Sequence, residues 1–247
     1  MARALHSKRF PGETAEYRRA RMALLESERE LRRHTEAVAK QLRALPLGGE
    51  VPTDYRFTGL DAGSNRSTTI LMSDLFEAGK DTLFLYSFMF PEDGKPSGAA
   101  CPSCTSIIDS VDGAALHISQ RINIAAVAPA PIARFRAHGR KRGWRNIRLL
   151  SSAKTTYARD YNAVTEDGSP LPIASVFARK GKKIHHVWSS ELFYMTPDAG
   201  QDMRHVDFMW PLWHVLDRTP EGRGKDWGPE LEYAKRRPGT GRRKARG

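Results

Sequence analysis

One apolar run stands out in the pattern of hydrophobic and polar positions, the segment 83–90, which reads Leu-Phe-Leu-Tyr-Ser-Phe-Met-Phe. A continuous run of this length is typical of a strand buried on both faces of a sheet, and Pro91 predicts its end. Beyond it, shorter patterns predict a helix over 104–120, a strand over 122–127, a helix over 132–142 and a strand over 147–150. This β-α-β-α-β order predicts a mostly parallel core.

The two ends of the chain show different patterns. Residues 1–45 alternate charged residues with leucines at helical spacing, which predicts one amphipathic helix that stops at Pro46. Near the other end, two short apolar runs flank Lys180-Gly181-Lys182, a turn sequence that predicts a hairpin with strands at 173–178 and 184–188. A last helix is predicted over 207–217.

The net charge of +12 is concentrated in two segments, 134–148 and 235–247, each with seven Lys or Arg and no acid. The second segment has no apolar periodicity and predicts a disordered basic tail. Because this tail has no aromatic residue and no nucleic-acid-binding motif occurs, nucleic acid is not an expected partner. The predicted organisation is an N-terminal helical extension over 1–46, a main domain over 47–234 and the tail over 235–247.

The apolar segments are too short to cross a bilayer, and the N-terminus lacks the apolar stretch of a secretory signal. We therefore expect a cytoplasmic protein with no membrane partner. In a reducing compartment a structural disulfide would be unusual, so cysteines that lie close together in the sequence would have a transient or catalytic role.

The chain has two cysteines, Cys101 and Cys104, separated by Pro102 and Ser103 at the predicted start of a helix. This C-x-x-C spacing allows a small intramolecular disulfide. The unpaired N–H groups of a helix start favour the thiolate, which is the attacking species. Thiol–disulfide exchange without a further cofactor is therefore the leading hypothesis.

Three alternatives stay open. A copper or zinc site would combine Cys101, Cys104 and His185; His185 and His186 are adjacent in a predicted strand, so only one can face the cysteines. A peroxiredoxin-like peroxidase would oxidise one cysteine and resolve it with the other. Ser97 precedes Cys101 by four positions, however, not by the three of the Thr-x-x-Cys pattern. A non-catalytic binding module would need neither cysteine.

The β-α-β unit, the hairpin, the closing helix and the cysteine pair together describe a thioredoxin-like α/β fold, with a central mixed sheet flanked by helices. Pro172 precedes the first hairpin strand, where such folds place a cis-proline that faces the cysteines. The fold analogy alone carries this expectation, because only about 5–6% of X-Pro bonds in folded proteins are cis.

Several short motifs follow one another along the chain. They are Leu85-Tyr86-Ser87-Phe88-Met89-Phe90, Cys101-Pro102-Ser103-Cys104, Asp112-Gly113-Ala114 with Leu116-His117, Ala128-Pro129-Ala130-Pro131, Gly143-Trp144 and Ser151-Ser152. This series resembles the DUF899 family, and the likeness extends from about Glu13 to about Tyr233. The resemblance implies a thioredoxin-like fold and a dithiol–disulfide oxidoreductase activity whose physiological substrate is not established.

The resemblance also implies that Cys101 attacks and Cys104 resolves, with a thiol or disulfide substrate and a cellular reductant as partners. The serines follow a strand whose C-terminal end should face the site, and the segment 160–162 resembles an Asp-Phe-Asn stretch of the family. The expected substrate-facing or supporting residues are Pro172, Ser151, Ser152, Asp160 and Asn162. Turn formation is the alternative role for the Ser, Asp and Asn residues. The N-terminal helix is expected to pack on its own domain or to form a homodimer.

Overall fold

The structure is a computed structural model that describes residues 5–61, 66–90, 98–225 and 227–233. The predicted tail, Ser97 and Pro91 lie outside the described residues. The chain divides into two compact units, residues 1–47 and 48–247. Within the described ranges, no helix has the length and apolar character needed to cross a membrane.

The first unit contains one long helix, α1 (Ala15–Arg43). It begins later than predicted, because Thr14 is the N-cap and its side-chain oxygen accepts the Tyr17 N–H over 3.1 Å. Gly12, with a φ of 75°, breaks the helical conformation just before this cap. Four apolar side chains at seven-residue intervals are exposed along α1: Tyr17, Leu24, Leu31 and Val38.

The second unit is built on one seven-stranded sheet. Its strands are β1 (Arg56–Leu60), β2 (Ser67–Leu71), β3 (Thr82–Ser87), β4 (Asn123–Ala128), β5 (Arg148–Ser151), β6 (Ala174–Lys180) and β7 (Lys183–Ser189). Its α-helices are α2 (Pro102–Ile118), α3 (Ile132–Arg142), α4 (Tyr157–Asp160) and α5 (Pro211–Leu216). The order of the strands across the sheet is β2-β1-β5-β4-β3-β6-β7.

The strand pairing confirms the predicted thioredoxin-like fold. Strands β3, β4 and β5 are parallel neighbours, as their helical connections α2 and α3 require. The hairpin β6–β7 then joins the other side of β3 in antiparallel pairing, and α5 follows it. Gly181, with a φ of 63°, makes the hairpin turn. The sheet is therefore mixed, with a β-α-β unit and an antiparallel hairpin around β3.

Alternation along β3 divides the core into two clusters. Tyr86 points to one face, where it joins the first core cluster with α2 and α3 side chains that include Cys104 and Phe135. Leu85 points to the opposite face, where it joins the second core cluster, which also contains Tyr157. The two faces of the sheet thus carry separate sets of side chains, and the cysteines belong to the first.

Asp112, one residue of the short motifs named above, has a structural role. Its carboxylate is buried on α2 and accepts the backbone N–H groups of Arg145, Asn146 and Ile147 at 2.8 to 3.1 Å. These residues connect α3 to β5, just after Gly143, which ends α3 in the left-handed conformation (φ 81°). The contacts therefore fix α2 against this connection.

Two predicted elements end differently from the sequence pattern. The central strand stops at Ser87, although Phe88 stays buried and its N–H still donates to the Val127 carbonyl over 2.8 Å. The helix predicted over 207–217 is divided into a 3₁₀ turn and α5. Pro211 is the cause, because it lacks an N–H and favours an extended conformation at Trp210 (φ −126°, ψ 80°).

Candidate functional site

Cys101 is the N-cap residue of α2, with an extended backbone (φ −63°, ψ 125°). Pro102 follows at the first helical position, where its fixed φ suits the helix and its missing N–H costs nothing. The Cys104 backbone N–H donates to Cys101 Sγ over 3.4 Å, so the sulfur takes the place of a capping oxygen. The Cys101 N–H donates to the Met89 carbonyl over 3.1 Å, which binds the helix start to the chain beyond β3.

These contacts stabilise the thiolate form of Cys101. A hydrogen bond with the Cys104 side chain is the main cause that lowers the pKa of Cys101 to about 6. The backbone N–H groups of Cys104 and Ser103 lower this pKa further, whereas burial opposes them. Cys101 is a free thiol and half-buried. At neutral pH it is therefore mainly a thiolate that a substrate can reach.

Cys104 is the protonated partner. Burial is the main cause that raises its pKa, and the neighbouring Cys101 adds to the effect. The Tyr86 hydroxyl donates to Cys104 Sγ over 3.2 Å, and both side chains are completely buried. Burial also raises the pKa of Tyr86, so the phenol remains a hydrogen-bond donor. The sequence analysis missed Tyr86. The available signal was a tyrosine inside a buried apolar run, since a buried hydroxyl usually needs a partner.

Thr105 holds the first turn of α2 to α3. Its Oγ1 donates to the Cys101 carbonyl over 2.8 Å and lies 3.0 Å from His138 Nε2. Because the hydroxyl has a single hydrogen, Nε2 is the donor in the second contact. Burial and then the nearby Arg142 lower the pKa of His138. His138 is therefore a neutral ring. The N–H that it donates to Thr105 leaves the Thr105 hydroxyl hydrogen for the Cys101 carbonyl.

Both cysteines line a cavity of about 740 Å³. Tyr86, Met89, Ser103 and Ile107 also line it, and Pro172 and Phe193 contribute from other segments. The rest of the lining comes from residues 200–207, Trp210, Trp213, 223–225 and 227–229. The volume falls within the range of about 300–1,000 Å³ that is usual for pockets holding small molecules.

Pro172 lines the cavity that holds both cysteines, and its substrate-facing role stays a prediction. Its expected isomer is wrong, because no peptide bond among the described residues is cis. The trans form is also the intrinsically favoured one for an X-Pro bond. The next residue, Ile173, accepts the Ser87 N–H over 2.7 Å, so this segment is bound to the end of β3.

Ser151 and Ser152 are buried at the end of β5, and neither lines the cavity that contains the cysteines. The reason is the strand order, because β4 separates β5 from β3, the strand that leads to Cys101. The Ser152 N–H donates to the Ala128 carbonyl over 2.8 Å, which continues the pairing of β4 with β5. A supporting role for the two serines stays a prediction.

Asp160 and Asn162 lie apart from the cysteines and line a separate cavity of about 560 Å³. Asp160 accepts the Tyr55 hydroxyl over 2.6 Å, and Tyr55 belongs to the second core cluster, on the other face of the sheet. The Asn162 carbonyl accepts the Tyr194 hydroxyl over 2.8 Å. The structure therefore does not bring this pair to the cysteines, and their expected role there stays a prediction.

The alternative metal site is not assembled. His185 lies on β7, and its Nδ1 is 3.2 Å from the Gly48 carbonyl oxygen. Strand β6 separates β7 from β3. Across the described part of the chain, no group of three or more His, Cys, Asp or Glu side chains is placed to hold a metal ion. Cys101, Cys104 and His185 therefore do not form a copper or zinc site.

Replacement of Cys104 by alanine is expected to raise the pKa of Cys101 from about 6 toward its ordinary value, because the main hydrogen-bond partner is lost. Cys104→Ser is the matched control, since its hydroxyl can still donate to the Cys101 sulfur. The measurement is the rate of Cys101 alkylation by iodoacetamide from acidic to alkaline pH, which rises as the thiolate forms. The same half-maximal pH in wild type and Cys104→Ala would contradict the assigned contact.

Comparison with solved structures gives distant similarities. A reduced 2-Cys peroxiredoxin from Plasmodium vivax is 20% identical, with a TM-score of 0.43 over 66% of this chain and 95% of that one. A mitochondrial 2-Cys peroxiredoxin from Plasmodium falciparum is 14% identical, with a TM-score of 0.44 over 69% of this chain and 95% of that one. An uncharacterized conserved protein from Geobacillus kaustophilus is 14% identical, with a TM-score of 0.40 over 64% and 75%. Similarity at this level assigns no chemistry to the present chain.

The comparison with protein families gives a match over most of the chain. No curated protein matches the chain. One family model, described as "Bacterial protein of unknown function (DUF899)", matches residues 7–239. This range includes the cysteine pair, Asp112, Gly143 and every strand of the sheet. The resemblance seen in the short motifs is thereby confirmed, and the chain belongs to the DUF899 family.

Proposed function

We propose that this protein is a thiol–disulfide oxidoreductase in which Cys101 attacks and Cys104 resolves. The observation that supports it best is the contrast between the two sulfurs at the start of α2. Cys101 is half-buried with a pKa of about 6, whereas Cys104 is fully buried with a raised pKa. A reachable thiolate beside a protected thiol is the arrangement that two-step disulfide exchange needs.

In the proposed reaction the Cys101 thiolate attacks one sulfur of a substrate disulfide. A Cys101–substrate bond forms, the substrate S–S bond breaks, and the first substrate thiolate leaves. Cys104 then loses its proton and attacks the Cys101 sulfur, which forms the Cys101–Cys104 disulfide and releases the second substrate thiolate. The protein gives up two electrons and the Cys104 proton, and the two released substrate thiolates become two thiols with this proton and one from solvent.

The cycle also needs a reductant. An external dithiol returns the Cys101–Cys104 disulfide to the reduced state by the same exchange in reverse, and no metal or organic cofactor takes part. The partners in this proposal are therefore a disulfide substrate and a cellular thiol reductant.

The test is a single-turnover reaction of the reduced protein with excess hydroxyethyl disulfide in the absence of oxygen. We expect two equivalents of mercaptoethanol per chain, and a Cys101–Cys104 disulfide in the peptide map. A parallel reaction with hydrogen peroxide separates the peroxidase alternative. No thiol release from the disulfide, together with rapid consumption of peroxide, would contradict the proposal.

The proposal includes a homodimer formed by pairing of α1. The observation in its favour is the line of exposed apolar side chains at seven-residue intervals on this helix, Tyr17, Leu24, Leu31 and Val38. Such spacing keeps one stripe facing a partner helix along a coiled coil. Sedimentation of the wild type and of Leu31→Glu tests it, since a charge in the stripe should give monomers.

A further inference from the structure

The cavity beside Cys101 has a wall formed by residues that follow the hairpin. We name Trp210, Trp213 and Trp227 the tryptophan wall, because all three indoles line this cavity together with both cysteines. The rings of Trp210 and Trp213 are 5.3 Å apart between centroids, and those of Trp213 and Trp227 are 6.0 Å apart, both edge to face. The three rings thus form one contiguous aromatic cluster, and Trp210 is its member next to the cysteine helix.

Hydrogen bonds hold the tryptophan wall in place. The Trp210 Nε1–H donates to Ser106 Oγ on α2 over 3.0 Å. Arg223 binds Asp207 at 2.7 Å and Asp217 at 2.6 Å, and its guanidinium carbon lies 5.2 Å from the centroid of the Trp213 ring. The wall is therefore attached to the helix that carries the cysteines. Arg223 also joins Asp207 and Asp217 by ion pairs beside the Trp213 ring.

The rest of the lining is mixed, because the charged residues Asp202, Arg204, Asp207, Arg223 and Lys225 line the cavity together with apolar ones. Met89, Ile107 and Phe193 line the same cavity. The Phe193 ring packs on His205, with 4.7 Å between the ring centroids, and burial lowers the pKa of His205, which favours a neutral ring. A ligand in this space would therefore find aromatic rings and the Cys101 thiolate in the lining of one cavity.

We infer that the substrate is a small organic disulfide carrying a flat aromatic group, which lies on the tryptophan wall while Cys101 attacks its sulfur. The inference rests on the proposed function and adds the size and chemical class of the substrate. The cavity volume limits the size of the substrate, since about 740 Å³ is typical of a pocket that holds a small molecule. The class follows from the lining, because aromatic rings prefer the stacked and edge-to-face contacts that the wall offers.

The experiment uses the full reduced chain and three probes: dithiodipyridine as an aromatic disulfide, hydroxyethyl disulfide as an aliphatic one, and insulin as a protein disulfide. Each rate is divided by the rate of glutathione with the same probe, which removes the intrinsic reactivity of the disulfide. We expect the normalised rate to be highest for dithiodipyridine and lowest for insulin. Trp227→Ala should lower the dithiodipyridine value by about tenfold, the size of a lost aromatic contact with its buried area, and lower the hydroxyethyl disulfide value much less, so that the ratio of the two values falls.

Trp227 suits this test because it is 48% exposed, so its truncation removes little of the core. Phe10→Ala is the matched control, since Phe10 is 63% exposed and belongs neither to the lining of this cavity nor to the apolar stripe of α1. A normalised insulin rate equal to that of dithiodipyridine, or an unchanged dithiodipyridine rate in Trp227→Ala, would overturn the inferred substrate class and leave the oxidoreductase function standing. No reaction with any of the three probes would overturn both.

Discussion

Cys101→Ser is expected to abolish reaction with disulfides, whereas Cys104→Ser should keep the first attack and stop at the mixed disulfide. The reason is the division of roles between the two sulfurs. Cys101 is the reachable thiolate, with a pKa of about 6. Cys104 is completely buried, so it can act only on a sulfur that is already bound to Cys101. We therefore expect Cys101→Ser to lower the rate to that of a protein without thiols.

Intact-mass spectrometry after mixing with hydroxyethyl disulfide measures both outcomes. Cys104→Ser should gain the mass of one mercaptoethanol group, and Cys101→Ser should gain none. Ser119→Ala, at the far end of α2, serves as the control and should behave as wild type. A mixed disulfide on Cys104 in the Cys101→Ser variant would reverse the assigned roles.

Tyr86→Phe is expected to slow the second step of the reaction and leave the first step unchanged. The Tyr86 hydroxyl donates to Cys104 Sγ over 3.2 Å, and this contact favours the Cys104 thiolate, the form that attacks the mixed disulfide. A hydrogen bond to a charged group contributes about 1.5–3 kcal/mol, so its loss should slow resolution by roughly tenfold to hundredfold. Cys101 should still be alkylated with a half-maximum near pH 6.

The measurement is rapid acid quenching followed by mass spectrometry, which separates the decay of the mixed disulfide from its formation. Tyr157→Phe is the matched control, because Tyr157 is also completely buried but belongs to the second core cluster, on the opposite face of the sheet. Equal decay of the mixed disulfide in both variants would show that the Tyr86 hydroxyl has no part in resolution.

The sequence predicts most of the elements of this fold because their patterns are local. The apolar run at 83–90, the two helical segments after it and the Lys180-Gly181-Lys182 turn each have a period or a turn signal of their own. The predicted ends of helices and strands were less accurate where a single residue determines the end. Thr14 moves the start of α1, and Pro211 divides the last predicted helix.

The site was predictable only where its residues are neighbours in sequence. Cys101 and Cys104 share one helical turn, so their spacing alone indicates the chemistry. The contact between Tyr86 and Cys104 depends on how β3 packs against α2, and the one between Trp210 and Ser106 joins segments 104 residues apart. No local pattern reports such contacts.

Strand order limited the prediction in a similar way. The sequence shows that the segment 147–150 is a strand, but not that β4 lies between it and β3. For this reason the serines that follow it were expected at the site, and the structure places them away from the cavity. Asp160 was expected there from the resemblance, and its hydrogen bond to Tyr55 lies on the other face of the sheet.

The most direct test of the central claim is a redox titration of the purified protein, with alkylation and mass spectrometry at each ratio of reduced to oxidised glutathione. The account predicts one two-electron transition that joins Cys101 to Cys104. Stabilisation of the Cys101 thiolate, which belongs to the reduced form, should make the midpoint less negative than that of a cysteine pair without it. Two thiols that stay unlinked at every ratio would contradict the claim that these cysteines form a redox couple.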